Sequence, residues 1–187
     1  MNAYELLGFA MTLLCVWFSA REWIWGFPVA IVASAFYGAV FYQSKLYSDA
    51  GLQVLYIGLS AYGWYQWLHG GHNRSELRVR HLPCPLVPIL AGLGLLVAGL
   101  LGSLMHRLTD ASLPYLDAST TATSLVAQWL LAKKYLENWL VWIGVDVVYV
   151  GMYAYKGLHF TAVLYLLITL LAVQAYRHWK KSIPAAV

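Results

Sequence analysis

Six histidines, eight acidic residues and two cysteines are the side chains in these 187 residues best suited to bind a metal or attack an electrophile, and their spacing argues against both. His69, His72, His81, His106, His159 and His178 are scattered, with no HExxH pair and no convergent set of cysteines and carboxylates. There is no GxSxG nucleophile turn, and no glycine-rich loop ends in a phosphate-binding Lys. Gly92-Leu93-Gly94 has neither the strand before it nor the helix after it that a dinucleotide loop needs, so it reads as close helix packing. No catalytic residue, metal or cofactor is nominated, and the expectation is a protein that is not an enzyme.

Aromatic and amide side chains are concentrated instead. Gln53 and Tyr56 precede Tyr62-Gly63-Trp64-Tyr65-Gln66-Trp67, and Gln128-Trp129 follows much later. The stretch Glu137-Asn138-Trp139-Leu140-Val141-Trp142 then runs on to Asp146, Tyr149 and Tyr153. Trp139, Trp142, Asp146, Tyr149 and Tyr153 follow i, i+3, i+7, i+10, i+14 steps, which puts them on one helical face. Ring faces attract positive charge and an acid supplies a counter-ion, so the stripe suits a small organic cation. Two plainer readings stand beside this one. Trp23, Trp25, Tyr176 and Trp179 fit an aromatic belt at the level of lipid headgroups. Asp146 alone also fits a hydrogen bond to a neighbouring helix.

The elements that must position these residues follow from composition. With 61% hydrophobic and 11% charged residues, and a mean hydropathy of +0.62, the chain has too little polar surface for an ordinary soluble domain. A bilayer core about 30 Å thick needs roughly 20 apolar residues per helix, which leaves space for about seven spans. Apolar runs place them near Tyr4 to Ala20, Ile24 to Tyr42, Leu52 to Leu68, Cys84 to Leu104, Ser119 to Leu131, Trp139 to Tyr155 and Phe160 to Tyr176. Glu5 and the lack of a preceding Lys or Arg make the first run a retained span rather than a cleaved signal. Ser119, Thr120, Thr121, Thr123 and Ser124 make the fifth polar at its start, where hydroxyls can bond back to helix carbonyls or across to a neighbour. Cys15 and Cys84 fall in spans, so no disulfide is expected. Asp146 lies near the middle of the sixth span, where a carboxylate costs roughly 2.5 to 3.5 kcal/mol unless it faces a cavity or a partner.

Basic residues set the orientation. Arg21, Arg74, Arg78, Arg80, Lys133, Lys134, Arg177, Lys180 and Lys181 fall on one side, and Lys45, Arg107 and Lys156 on the other. Nine against three favours an external N-terminus and a cytoplasmic C-terminus. The net charge of +4 thus reflects orientation rather than a nucleic-acid partner.

Tyr37 to Trp67 and Tyr149 to Trp179 share the same spacing, through the similar stretches YGAVFYQSKLY and YVGMYAYKGLH. This suggests two parallel helix trios with the glycine-rich fourth helix as connector. The expected divisions are residues 1–68 for the first trio, 69–118 for a cytoplasmic loop, linker helix and outer loop, 119–180 for the second trio, and 181–187 for a cytoplasmic tail.

LYSDAGLQVLY at 46–56, YGWYQW at 62–67, KYLENWLVWIGVD at 134–146 and YKGLHFTAVLY at 155–165 resemble, in that order, the PnuC family of bacterial vitamin transporters, in particular its nicotinamide riboside members. The resemblance implies an all-α integral membrane fold with a SWEET-like arrangement of two three-helix repeats joined by a linker helix. It implies facilitated uptake of nicotinamide riboside across the bacterial inner membrane, made one-way by cytoplasmic phosphorylation, in a chain that can form a homo-oligomer. It carries substrate contacts onto Gln53, Trp64, Trp67, Gln128, Asn138, Trp142 and Asp146, and the aromatic face adds Tyr149. Thiamine also holds a fixed positive charge on an aromatic ring and is the alternative solute; neutral riboflavin suits the acid less well. An intramembrane enzyme or a sensor is the competing class, with no nucleophile and no soluble signalling domain to support it.

The orientation is testable with single cysteines in an otherwise cysteine-free chain. Ser75→Cys should react with a membrane-impermeant thiol reagent from the cytoplasmic side, and Ser112→Cys from the opposite side. Labelling of both from one side would disprove the seven-span topology.

Overall fold

The computed structural model describes residues 3–43, 47–108, 113–155 and 157–183. Lys45 and Lys156 of the minority basic set, Ser112 and tail residues 184–187 lie outside them. The described residues form α1 (Ala3–Ala20), α2 (Gly26–Gln43), α3 (Tyr47–His69), α4 (Leu86–Leu108), α5 (Pro114–Ala132), α6 (Asn138–Tyr155) and α7 (His159–Ser182), with a 3-10 turn at His72–Arg74. Each expected apolar run falls on one of these helices. Helices of 18 to 24 residues are about 27 to 36 Å long at 1.5 Å per residue, close to the thickness of a bilayer core.

Three helix ends lie five or six residues beyond the sequence reading: α3 begins at Tyr47 instead of Leu52, α7 ends at Ser182 instead of Tyr176, and α5 begins at Pro114 instead of Ser119. Proline in the first turn gives up no helix hydrogen bond. The hydroxyls that follow bond back along their own helix: Ser119 Oγ donates to Tyr115 O at 2.6 Å, Thr120 Oγ1 to Asp117 O at 2.9 Å and Thr123 Oγ1 to Ser119 O at 2.7 Å. Polar residues therefore do not shorten the helix.

α1 packs on α2 and α7, α2 on α3, α3 on α5, α5 on α6, and α6 on α7, closing a ring of six helices. α4 packs on α5 from outside that ring. Its only buried residue is Gly102, while Leu93, Leu95, Leu96, Leu100 and Leu104 are exposed. Such a continuous apolar surface fits lipid rather than water. α4 and α7 are each long and apolar enough to cross a membrane. The glycines of α4 serve packing at one point: a Cβ on Gly102 would meet Tyr115 Cδ1 of α5 at 2.5 Å. Gly92 faces open space and Gly94 makes ordinary contact with Val126, so the close approach lies further along the helix than the expected Gly92-Leu93-Gly94.

The two trios, α1 to α3 and α5 to α7, correspond at one constant offset along the chain. α2 begins at Gly26 and α6 at Asn138, α3 at Tyr47 and α7 at His159, and α1 and α5 end at Ala20 and Ala132. The turns after α1 and α5 match bond for bond. Trp23 N donates to Phe18 O at 2.9 Å and Tyr135 N to Leu130 O at 3.0 Å; Glu22 N donates to Ser19 O and Lys134 N to Leu131 O. Glu22 at φ 57° and Lys134 at φ 55° both adopt the left-handed conformation. That conformation is disfavoured for residues carrying a Cβ and costs of order 1 to 3 kcal/mol at each position.

The trios meet in a layer of rings. Phe27 packs edge-on to Trp67 with centroids 4.9 Å apart, and Trp139 packs edge-on to Trp179 at 5.4 Å. Trp67 and Trp179 touch at 5.8 Å. Trp67 Nε1 donates to Leu131 O at 3.1 Å, and Trp179 Nε1 donates to Ser19 O at 3.2 Å, so each indole bonds the opposite trio.

The segment between α3 and α4 is strapped under this layer. Leu77 and Val79 are buried within the ring cluster, and Leu77 N donates to Trp67 O at 3.0 Å. Arg80 N donates to Lys134 O at 3.1 Å and Leu136 N to Arg80 O at 2.9 Å. Glu137 accepts from Leu82 N at 2.8 Å, and His81 Nδ1 lies 2.9 Å from its other oxygen.

Gly63 sets the approach of α3. A Cβ there would strike the Phe27 ring and lie 3.1 Å from Ala132 Cβ, whereas Gly58 on the same helix faces open space. Gly63→Ala should destabilise the purified protein by about 1 to 3 kcal/mol through overpacking, lowering its thermal midpoint by several degrees. Gly58→Ala should not. Equal midpoints for the two variants would show that α3 does not depend on this contact.

Candidate substrate cavity

Inside the ring lies a cavity of about 340 Å³, within the usual range of small-molecule sites. All six ring helices line it and α4 contributes nothing among the described residues. α1 brings Thr12, Cys15, Val16 and Ser19. α2 brings Phe27, Ala30, Ser34 and Tyr37, and α3 brings Tyr56. α5 supplies Ser124 and Gln128, α6 supplies Trp139, Trp142, Asp146 and Tyr149, and α7 supplies Tyr165.

The correspondence between the trios runs through the lining. Thr12 and Ser124, Val16 and Gln128, Phe27 and Trp139, Ala30 and Trp142, Ser34 and Asp146, Tyr37 and Tyr149 are matched positions that all face the cavity. The chemistry matches at Thr12 and Ser124, Phe27 and Trp139, and Tyr37 and Tyr149, and differs at the other three pairs. Where the first trio presents Val16, Ala30 and Ser34, the second presents an amide, an indole and a carboxyl. The acid and the amide are confined to the second trio, while the first offers only hydroxyls and the Cys15 thiol as polar groups.

Asp146 is 2% exposed, and its Oδ2 has no hydrogen-bond partner among the described residues. Trp139 Nε1, from the same lining, is likewise buried without an acceptor among them. Leaving either polar atom unpaired costs about 1 to 3 kcal/mol, and more for a charged one. A ligand offering positive charge to the acid and an acceptor to the indole would remove both costs. Among the described residues Asp146 is the lining's sole carboxylic acid, and the lining contains no Lys, Arg or His to offset it. On one flank, Tyr149 and Tyr153 of α6 stack around Tyr165 of α7 with centroids 4.8 and 5.3 Å from it.

Of the residues singled out from the sequence, Gln128, Trp142, Asp146 and Tyr149 meet in the cavity. Trp67 lies beneath it in the ring layer, 3% exposed. Asn138 is fully buried at the start of α6, where Nδ2 donates to Tyr135 O at 2.6 Å and Oδ1 has no partner among the described residues. Gln53 packs over Gly38 between α2 and α3, and Trp64 is 38% exposed on the outer side of α3. Tyr37, Tyr165 and Ser34 line the cavity without having been singled out, and Tyr56, noted in the aromatic and amide cluster of the third span, lines it too. For Tyr37 a signal existed: its spacing to Trp67 mirrors that of Tyr149 to Trp179.

A family model described as nicotinamide mononucleotide transporter matches residues 2–181. The nicotinamide riboside transporter PnuC of Escherichia coli is 28% identical over 203 residues, covering 95% of this chain and 85% of that protein. The riboflavin/roseoflavin transporter RibM of Streptomyces davaonensis is 25% identical over 180 residues, covering 94% and 83%. Among solved structures, the crystal structure of the vitamin B3 transporter PnuC matches with a TM-score of 0.69 at 24% identity, covering 93% of this chain and 79% of that one. At that identity the structural match speaks for a shared fold. Together with the lipid-facing surface of α4, the match across nearly the whole chain identifies an all-helical integral membrane protein: the chain belongs to the PnuC family, whose matching model is that of the nicotinamide mononucleotide transporters.

Proposed function

We propose that this protein carries nicotinamide riboside across a bacterial inner membrane by facilitated diffusion, with cytoplasmic phosphorylation trapping the solute. The observation that carries the reading is Asp146, a buried carboxyl with an unpartnered oxygen in an aromatic cavity whose described lining holds no cationic side chain. The pyridinium ring of nicotinamide riboside supplies a fixed positive charge for the acid and a flat face for Trp142. Gln128 and the surrounding hydroxyls offer donors and acceptors for the carboxamide and the sugar. The substrate contacts are Gln128, Trp142, Asp146 and Tyr149, with Gln53, Trp67 and Asn138 supporting the helix packing around them and Trp64 on the outer side of α3. Thiamine, with its own cationic ring, is the second reading, because the same acid and indole suit it equally.

The name of the family model raises a choice between nucleoside and nucleotide that the cavity chemistry addresses. A mononucleotide adds a phosphate that would enter without its water, find no Lys or Arg in the described lining, and approach Asp146. The uncharged sugar end of the riboside carries no such cost. Reconstituted protein should therefore equilibrate labelled nicotinamide riboside into liposomes, chemically unchanged and without an imposed ion gradient. Uptake should be at least about tenfold faster than that of the mononucleotide, the factor given by roughly 1.4 kcal/mol. Faster entry of the mononucleotide would overturn this assignment.

The proposed architecture is SWEET-like, with two parallel three-helix repeats, residues 1–68 and 119–180, around a central cavity and α4 as linker within 69–118. The constant offset between the trios, the matched turns and the two crossed indole bonds support it. The ring contacts support it as well, since α1 with α2 corresponds to α5 with α6, α2 with α3 to α6 with α7, and α3 with α5 to α7 with α1. The bias of basic residues supports an external N-terminus and a cytoplasmic 181–187 tail.

Asp146→Asn preserves shape while removing the charge. It should weaken nicotinamide riboside binding roughly tenfold to a hundredfold, the equivalent of about 1.5 to 3 kcal/mol for a charge-assisted contact. The dihydropyridine form, which lacks the ring charge, should lose little. Trp142→Ala should weaken binding of the cation through lost ring contact. Thermal-shift titration reads all three, because a ligand bound by the folded state raises its apparent stability. If Asp146→Asn lowers the midpoint but leaves cation affinity intact, the acid is a structural helix contact and the counter-ion reading fails.

A further inference from the structure

Below the ring layer lies a second cavity of about 490 Å³, lined by Glu22, Trp23, Trp25, Trp67, Glu76 and Lys134 among others. Phe27 faces the central cavity, Trp67 faces the lower one, and the two rings are in edge contact. The two cavities are thus adjacent where these rings touch. In the proposed orientation the lower cavity is on the cytoplasmic side.

The same level holds an ion pair at matched positions of the two trios. Lys134 Nζ lies 3.0 Å from Glu22 Oε2, with the two side chains 10% and 22% exposed. Each residue is the second after its helix, and each is held in the left-handed conformation that turns its side chain across the seam. Two identical charges at these matched positions would repel; the chain carries opposite ones. Lys134 Nζ also lies 4.5 Å from the centroid of Trp67, so the pair is anchored on the very ring that separates the cavities. The crossed bonds from Trp67 to Leu131 and from Trp179 to Ser19 join the trios at this same end.

We propose that this end is the inner gate of the transport path, with Phe27, Trp67, Trp139 and Trp179 as its plug and Glu22–Lys134 as its latch. Opening toward the cytoplasm requires the turns after α1 and α5 to separate, which breaks the ion pair and frees Trp67 from the ammonium. The proposal rests on the transport reading, but the latch can be measured without a solute.

Cys15 lines the central cavity above the plug and is a native reporter of its opening. The exposed Cys84 is replaced by Ser, leaving one thiol. In inside-out vesicles, a charged, membrane-impermeant thiol reagent should modify Cys15 slowly in this background. Lys134→Met and Glu22→Gln should each raise the rate at least about fivefold, the low end of coupling between two conformational states. The exchanged pair, Glu22→Lys with Lys134→Glu, should bring it back below both single variants, because the attraction across the seam is restored although the ammonium no longer faces Trp67. Single variants that leave the rate unchanged would overturn the latch. So would an exchanged pair as reactive as the singles, since the effect would then come from local packing. Nicotinamide riboside binding by thermal shift is measured on the same variants and should be retained. If the parent itself fails to bind the solute, the transport reading falls while the labelling rates still decide the latch.

Discussion

Two buried indole N–H groups make the ring of helices a single unit. Trp67 and Trp179 are 3% and 0% exposed, so each N–H must find an acceptor within the protein or forfeit its hydrogen bond. The acceptors are Leu131 O and Ser19 O, in the last turns of α5 and α1, where helix termination frees carbonyls from their usual partners. Each carbonyl also accepts the amide of the left-handed residue that follows, using its second lone pair. The bond that ends a helix and the bond that joins the trios thus converge on one atom, twice. The placement of the rings, the turns and the strap beneath them depends on that convergence.

Above this layer the scaffold is matched throughout, while the chemistry differs at three pairs of positions. Equivalent positions of the two trios face the cavity in pairs, yet Gln128, Trp142 and Asp146 all belong to the second trio. A flat, singly charged ring needs one counter-ion and one stacking face. Duplicating them across the seam would bring two carboxyls into one low-dielectric space, where their repulsion and desolvation would add. Small residues opposite, Ala30 and Ser34, leave open volume beside Trp142 and Asp146, as the proposed solute requires. One half carries the acid, the indole and the amide, and the other carries the small residues opposite.

The segment between α3 and α4 is more than a tether. Leu77 and Val79 fill the underside of the ring layer, and Arg80 exchanges backbone bonds with the turn after α5. The strap therefore links the end of α3 to the start of α6 across the seam. Any separation of the trios at this end has to carry it along with one partner or release it from the other.

The class of the molecule and the approximate position of every helix are legible in the sequence, because apolar runs of bilayer length and a lopsided distribution of Lys and Arg are local properties. Trp142, Asp146 and Tyr149 are legible as one face for the same reason, since helical periodicity dictates which residues of a single helix point the same way. Which helices share a cavity is a matter of tertiary packing alone. Trp64 and Trp67 sit close together on α3 in a conspicuous aromatic run, yet one reaches the outer surface and the other the floor beneath the cavity. Tyr165 on α7 and Tyr37 on α2 enter the lining because the ring closes through α1 against α7 and α2 against α3. Gln53 is held to the α2 interface by its seat on Gly38. Glu22 and Lys134, far apart along the chain and unremarkable in either local sequence, become neighbours only when two matched turns meet across the seam. Contacts between distant segments depend on the packing of whole helices, and no local pattern of residue types encodes that packing.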